Sequence, residues 1–291
     1  MRRPGRFPIR WAGAVTRRST ITSSANDKLK AVRRLARRRD RDVFVAEGHR
    51  QLRRALAAGV GVRAVYAAPE LFLGDADADL VALADRRGAD VIQVGATAFR
   101  SISAGRRPDG LLAVVERWPT ELGTLPMNGS PLLLDALGDE RPGNLGTILR
   151  TACSSGATGL LACDAATDVF HPDAVRGAVG TLFHLPVAGC RTDEALPWLR
   201  EHRLGIVVAT PSGARPFWEA DLSGPVALVV GSERHGVSPA WTDGADETVA
   251  IPMPGPSDSL NVAVAAGIVL FEAVRQRSAR VPRSPVATAA R

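Results

Sequence analysis

Three segments in the second half of the chain gather polar side chains around breaks in regular structure. The first, 139–151 (DERPGNLGTILRT), interrupts an apolar run with proline and glycine. Asn144 can cap the helix that follows, and Arg150 lies six residues further on,. An arginine so placed can fork two hydrogen bonds to a phosphate. The second, 228–238 (LVVGSERHGVS), ends a buried strand in Gly231, where a ligand can approach the backbone closely, and Gly236 permits a further tight turn,. The third, 251–265 (IPMPGPSDSLNVAVA), holds three prolines and a glycine before Ser259, a candidate helix N-cap. A rigid irregular loop of this kind can bind a planar base through its own amides and carbonyls. Taken singly, each segment is equally an ordinary strand-to-helix connection. Neither G-x-G-x-x-G nor G-x-x-x-x-G-K-[ST] occurs, so neither a dinucleotide fingerprint nor a P-loop is supported,.

The elements that must carry these loops are legible in the apolar pattern. Continuous apolar strands are expected at 131–135, 159–163, 185–187, 204–209, 226–231 and 248–251. Helices fall between them, and a last helix spans about 259–277,. Such strands flanked by helices indicate a mostly parallel sheet covered on both faces, which places ligands at the carboxyl ends of its strands. Before it, strands at 43–45, 62–66, 90–94 and 110–115 alternate with helices and make a smaller α/β unit,. The division expected is a basic disordered tail at 1–20, a domain at 21–115, a linker at 116–130, a domain at 131–277 and a disordered tail at 278–291. The scattered Trp118, Trp198, Trp218 and Trp241 read as packing residues, and His171 and His184 as structural or at a dimer face.

Charge is unevenly placed. The 291 residues carry a net charge of +7, yet residues 1–41 alone hold fourteen Lys or Arg against Asp27 and Asp40. The other 250 residues therefore sum to about −5. A local cationic segment suits a polyanion, whose condensed counterions are released on binding. A solvated arginine-rich tail and a transit peptide are the other readings, though Pro4 and Pro8 break any early amphipathic helix,. A helix capped by Ser24 or Asn26 puts Leu29, Val32, Leu35 and Ala36 on one face and Lys28, Lys30, Arg33, Arg34, Arg37 and Arg38 around the rest, displaying cations to a partner. Three cysteines without C-x-x-C spacing argue against a disulfide framework or a cysteine zinc site,. Apolar runs fall short of the roughly 20 residues that span a bilayer. A reduced, cytoplasmic protein without a metal or a membrane span is expected.

In order and spacing the three segments resemble the signature motifs of the SpoU, or TrmH-like, family of RNA 2'-O-methyltransferases, a likeness that extends through residues 131–277. Residues 21–115 resemble that family's substrate-binding domain, similar in fold to ribosomal protein L30e, on Ile21, Thr22, Ser23, Asn26, Leu29, Lys30 and the stretch FVAEG at 44–48. The resemblance implies an α/β chain whose C-terminal SPOUT domain is a trefoil knot, with the segment after Gly231 threaded through an earlier loop. It implies S-adenosylmethionine (SAM) held near Thr210, Gly231, Ile251, Met253 and Leu260. It places Asn144, Arg150, Glu233, Ser259 and Asn261 among the groups orienting the ribose and adjoining phosphate, in sites built by both subunits of a homodimer formed through the C-terminal domain. Arg150 is that family's candidate for taking the hydroxyl proton. A free guanidinium stays protonated, so positioning the phosphate and stabilising charge is the better-founded role. Ala263 stands where a serine is common, and His235 fills a variable position. The substrate implied is structured RNA, with ribosomal RNA favoured because transfer RNA enzymes often lack the separate first domain. Transfer RNA methylation, or a fold kept for RNA binding or ribosome assembly without transfer, are the alternatives.

Overall fold

The computed structural model describes residues 20–280 except 38–39, 139–140, 166, 233–234 and 257–258. Two compact units divide the chain, 1–117 and 118–291.

In the first unit, helix α1 (Asp27–Leu35) starts where the Asn26 side chain accepts the Lys28 N–H at 2.9 Å,. It buries Leu29 and Val32. The helix ends at Leu35 with Ala36 as its C-cap, so Arg37 follows the helix instead of continuing it. Next come β1 (Val43–Glu47), α2 (His49–Ala57), β2 (Val62–Ala67), α3 (Asp75–Arg86), β3 (Asp90–Gln93), α4 (Ala96–Arg100) and β4 (Leu111–Glu116). The sheet order is β1-β4-β2-β3, with β4 antiparallel to both neighbours and β2 parallel to β3. Five-residue α4 is too short to show a helical period in sequence and was not expected. Its Phe99 packs with Tyr66 and Leu112 in the core.

The second unit runs β5 (Leu132–Ala136), α5 (Pro142–Ser154), β6 (Gly159–Cys163), α6 (Pro172–Ala178), β7 (Val187–Cys190), α7 (Thr192–Glu201), β8 (Gly205–Ala209), β9 (Arg215–Pro216), β10 (Val226–Val230), α8 (Pro239–Asp243), β11 (Glu247–Ala250) and α9 (Val262–Arg280). Seven strands in the order β7-β6-β5-β10-β8-β11-β9 pair in parallel throughout. The central strands β5, β6 and β10 are buried at every residue, which is why they read as unbroken apolar runs,. Strand β7 begins two residues later than its apolar start suggests. Pro186 has no N–H to give, and its carbonyl instead accepts the Leu160 N–H,. Two-residue β9 carried no readable signal. Among the tryptophans, Trp241 is fully buried, Trp118 meets Phe170 edge-on at 4.8 Å, and half-exposed Trp218 packs only in part, edge-on against Phe217 at 5.1 Å.

Asp135 is the one carboxylate inside the β5–β6–β10 core, fully buried. Its Oδ1 accepts the Cys163 N–H at 3.3 Å, and Oδ2 has no hydrogen-bond partner among the described residues. Burial pushes the carboxyl from its ordinary value near 3.8 up to about 7,. A raised carboxyl pKa means the native state holds the proton more tightly than the unfolded chain. Its contribution to stability is therefore complete below pH 3.8 and is lost as pH rises through about 7,. Between pH 5 and pH 8 this amounts to about 2 to 3 kcal/mol at roughly 1.4 kcal/mol per unit. Asp135→Asn keeps an acceptor for Cys163 without a charge. Urea unfolding should find the variant more stable than the parent at pH 8, with the difference shrinking at pH 5; an equal difference at both would contradict the assignment.

Candidate functional site

The carboxyl ends of β8, β10 and β11 open onto one cavity of about 190 Å³. Ala209, Thr210 and Pro211 follow β8, while Val230, Gly231, Ser232, Gly236 and Val237 come from the β10 exit. Ile251 and Met253 follow β11, and Ser259, Leu260, Val262 and Ala265 come from the approach to α9 and its first turn. All five residues expected to hold a cofactor, Thr210, Gly231, Ile251, Met253 and Leu260, lie in this wall.

Local backbone geometry explains the shape. After Gly231 the chain doubles back, with Ser232 and Gly236 exchanging N–H···O bonds of 3.1 and 2.9 Å and the Ser232 hydroxyl accepting the His235 N–H at 3.0 Å. Gly236 takes φ +63°, and a Cβ on Gly231 would lie 2.3 Å from the Gly236 carbonyl carbon. Glycine is required at 231 by this backbone-on-backbone approach. On the neighbouring exit, the Thr210 N–H donates to Val249 at 2.9 Å and the Thr210 carbonyl accepts from Gly213 at 3.0 Å, fixing the turn after β8. The walls are mostly apolar side chains, with Ile251 and Met253 contributed by the proline-rich segment after β11. That lining suits a planar base held by apolar contact and backbone groups.

The polar residues gather at the helix starts beside the cavity. Helix α5 has Arg141 as its N-cap residue and Pro142 at its first position, so Asn144 sits in the first turn and is not the cap. Its N–H donates to the Arg141 carbonyl at 2.8 Å. Ser259 likewise does not cap α9. The helix starts three residues later, where the Asn261 Oδ1 accepts the Ala263 N–H at 3.0 Å and the Asn261 carbonyl accepts from Val264 and Ala265. A proline-rich loop delays the helix until asparagine, a preferred cap, meets the apolar run. The other end of the same side chain, Asn261 Nδ2, donates to Asn144 Oδ1 at 3.2 Å and joins the two helix starts. Ser259 is exposed at the cavity mouth.

Arg150 is exposed on α5, with no hydrogen bond or ion pair to the asparagine pair among the described residues. Glu233 lies outside the described residues. Sequence reasoning missed Val262 and Ala265 as cavity walls, since an apolar first helical turn reads simply as core.

In the first unit, Lys28, Arg34 and Arg37 are exposed, and exposed Lys30 pairs with Asp27 at 2.9 Å. Arg33 turns back into its own unit, donating to the Ser101 hydroxyl at 2.9 Å and to the Ser24 carbonyl at 2.8 Å. That corrects the expectation of a fully outward cationic face, because an arginine with two neutral acceptors in reach is held by them. Arg38 lies outside the described residues.

Comparisons with known proteins bear on both units. Residues 132–271 match the SpoU rRNA Methylase family, and residues 26–113 match the MRM3-like substrate binding domain. A 23S rRNA (uridine(2479)-2'-O)-methyltransferase of Streptomyces viridochromogenes is 37% identical over 187 residues, 61% of this chain and 64% of that protein. An uncharacterized tRNA/rRNA methyltransferase of Synechocystis is 31% identical over 269 residues, covering 89% of this chain and 94% of the relative. The crystal structure of the SpoU methyltransferase AviRb from Streptomyces viridochromogenes in complex with the cofactor AdoMet superposes with a TM-score of 0.77 at 30% identity, over 87% of this chain and 98% of that one.

Proposed function

Because this chain belongs to the SpoU rRNA methylase family, we propose that it transfers a methyl group from SAM to a ribose 2'-hydroxyl of ribosomal RNA. One observation carries the reading at the level of the site: the exits of three strands, β8, β10 and β11, close a single apolar cavity at the carboxyl edge of the parallel sheet. The SAM sulfonium supplies an activated methyl group, so the protein's task is alignment and charge management. Thr210, Gly231, Ile251, Met253 and Leu260 would hold SAM through backbone groups and apolar contact. Asn144 and Asn261, already bonded to one another, would set the ribose together with Ser259 and Glu233. Arg150 would clamp the neighbouring phosphate and stabilise charge as the hydroxyl proton passes to water or a phosphate oxygen. The test is incubation of the protein with methyl-labelled SAM and ribosomal RNA, then nuclease digestion. Label in a 2'-O-methylnucleoside is the expected result, whereas label on a base or no label would overturn it.

We further propose that the site is completed in a homodimer, that the chain after Gly231 is threaded as a knot, and that the protein works in the cytoplasm on RNA gripped by Lys28, Lys30, Arg34 and Arg37. The threading is supported by β10 lying between β5 and β8 although it follows β9 in the chain. The dimer is supported by α9, where Val264 and Phe271 are 51% and 50% exposed seven residues apart on one stripe,. Phe271→Asp should shift the protein to monomer in sedimentation equilibrium and remove most methyl transfer, with unfolding little changed because the ring is half solvated. A variant that stays dimeric would place the interface elsewhere.

A further inference from the structure

Two of the three cysteines, 27 residues apart in sequence, meet at one edge of the parallel sheet. Cys163 closes β6, Cys190 closes β7, and the two are direct register partners, so their side chains leave the same face,. Their sulfurs are 3.0 Å apart. Neighbouring strands run about 4.8 Å apart, inside the roughly 4.4–6.8 Å range of Cα separations that a disulfide spans. Access differs between the pair: Cys163 is fully buried, while Cys190 is partly exposed on the edge strand. Contact with Cys190, burial and the nearby Asp135 carboxyl all push the Cys163 thiol up, so it keeps its proton until it reacts,.

We propose that Cys163 and Cys190 are a modification site: a dithiol that a hydroperoxide converts to an intrachain disulfide. The partly exposed Cys190, as its thiolate, attacks a peroxide oxygen, so that an S–O bond forms, the O–O bond breaks, and the departing hydroxide (or alkoxide) leaves protonated. Cys163 then attacks the Cys190 sulfenic sulfur and passes its proton to the departing oxygen. The S–S bond forms, the S–O bond breaks, and the second oxygen departs as water after taking up a proton. Two thiols are oxidised by two electrons and one peroxide is reduced. The link lies at the root of the loop leading to α5, because the Cys163 carbonyl accepts the Gly138 N–H at 3.1 Å.

The test treats the full chain with hydrogen peroxide, alkylates the remaining thiols after denaturation, and maps the peptides. Expected is a peptide pair joined through Cys163 and Cys190 within single chains, lighter by two hydrogens, reversed by dithiothreitol, with Cys153 left alkylated. Two of the three thiols are thus lost together. Cys163→Ser should lose the link and leave Cys190 as a sulfenic acid trappable by dimedone, and the partly exposed Cys190→Ser should leave Cys163 alkylatable. The proposal is overturned if the parent protein keeps all three thiols, if Cys190 advances to sulfinic acid unlinked, or if links form only between chains.

Discussion

Arg150→Ala should lower methyl transfer to ribosomal RNA by about 10²- to 10³-fold, the loss typical of removing one preorganised charge-stabilising donor. SAM affinity should stay within about twofold, because Arg150 is absent from the cavity wall. Its side chain is exposed on the outer face of α5, so thermal unfolding should move little,. Single-turnover transfer with labelled SAM, together with calorimetric titration of SAM, separates the effects. Arg150→Lys keeps the charge but cannot make a bidentate fork, and should recover only part of the rate. A variant with full activity would remove Arg150 from the site.

Gly231→Ala should be the most damaging single-methyl change in the cavity wall. The added Cβ would sit 2.3 Å from the Gly236 carbonyl carbon, 2.5 Å from its oxygen and 2.6 Å from the Val237 nitrogen. All three are backbone atoms that cannot rotate aside, so the turn after β10 must open. A cost of about 3 kcal/mol is expected from overpacking of this kind, with SAM affinity reduced at least about tenfold as the wall of the cavity shifts. Gly224→Ala is the matching control, since a Cβ there meets nothing within 4 Å. Chemical unfolding and SAM titration of both variants check the contrast. Equal stability of the two would show that the close approach at Gly231 relaxes freely.

The sheet was readable in the sequence because burial on both faces leaves little but apolar residues in β5, β6 and β10, and the loops were readable because proline and glycine interrupt those runs. What escaped depends on contacts between distant segments. Asn261 could be seen to precede an apolar run, but its role as cap is decided by how far the proline loop carries the chain before α9 starts. Arg33 reads as one cation among several until Ser101, 68 residues away, draws it inward. Cys163 and Cys190 show no motif because their proximity comes from the pairing of parallel strands across a helical crossover. Strand β9, two residues with a proline, has no pattern to detect.

Asn261 uses its carbonyl oxygen for the start of α9 and its amide for Asn144 on α5. The loop that walls the cavity and the helix that bears Arg150 therefore share one hydrogen-bonded joint. If SAM is held at the first and RNA at the second, as proposed, binding at either end would settle the joint that the other needs. The two affinities are then linked, each ligand raising the other's by the same factor. RNA titrations with and without SAM read that factor, and Asn261→Ala should bring it to one.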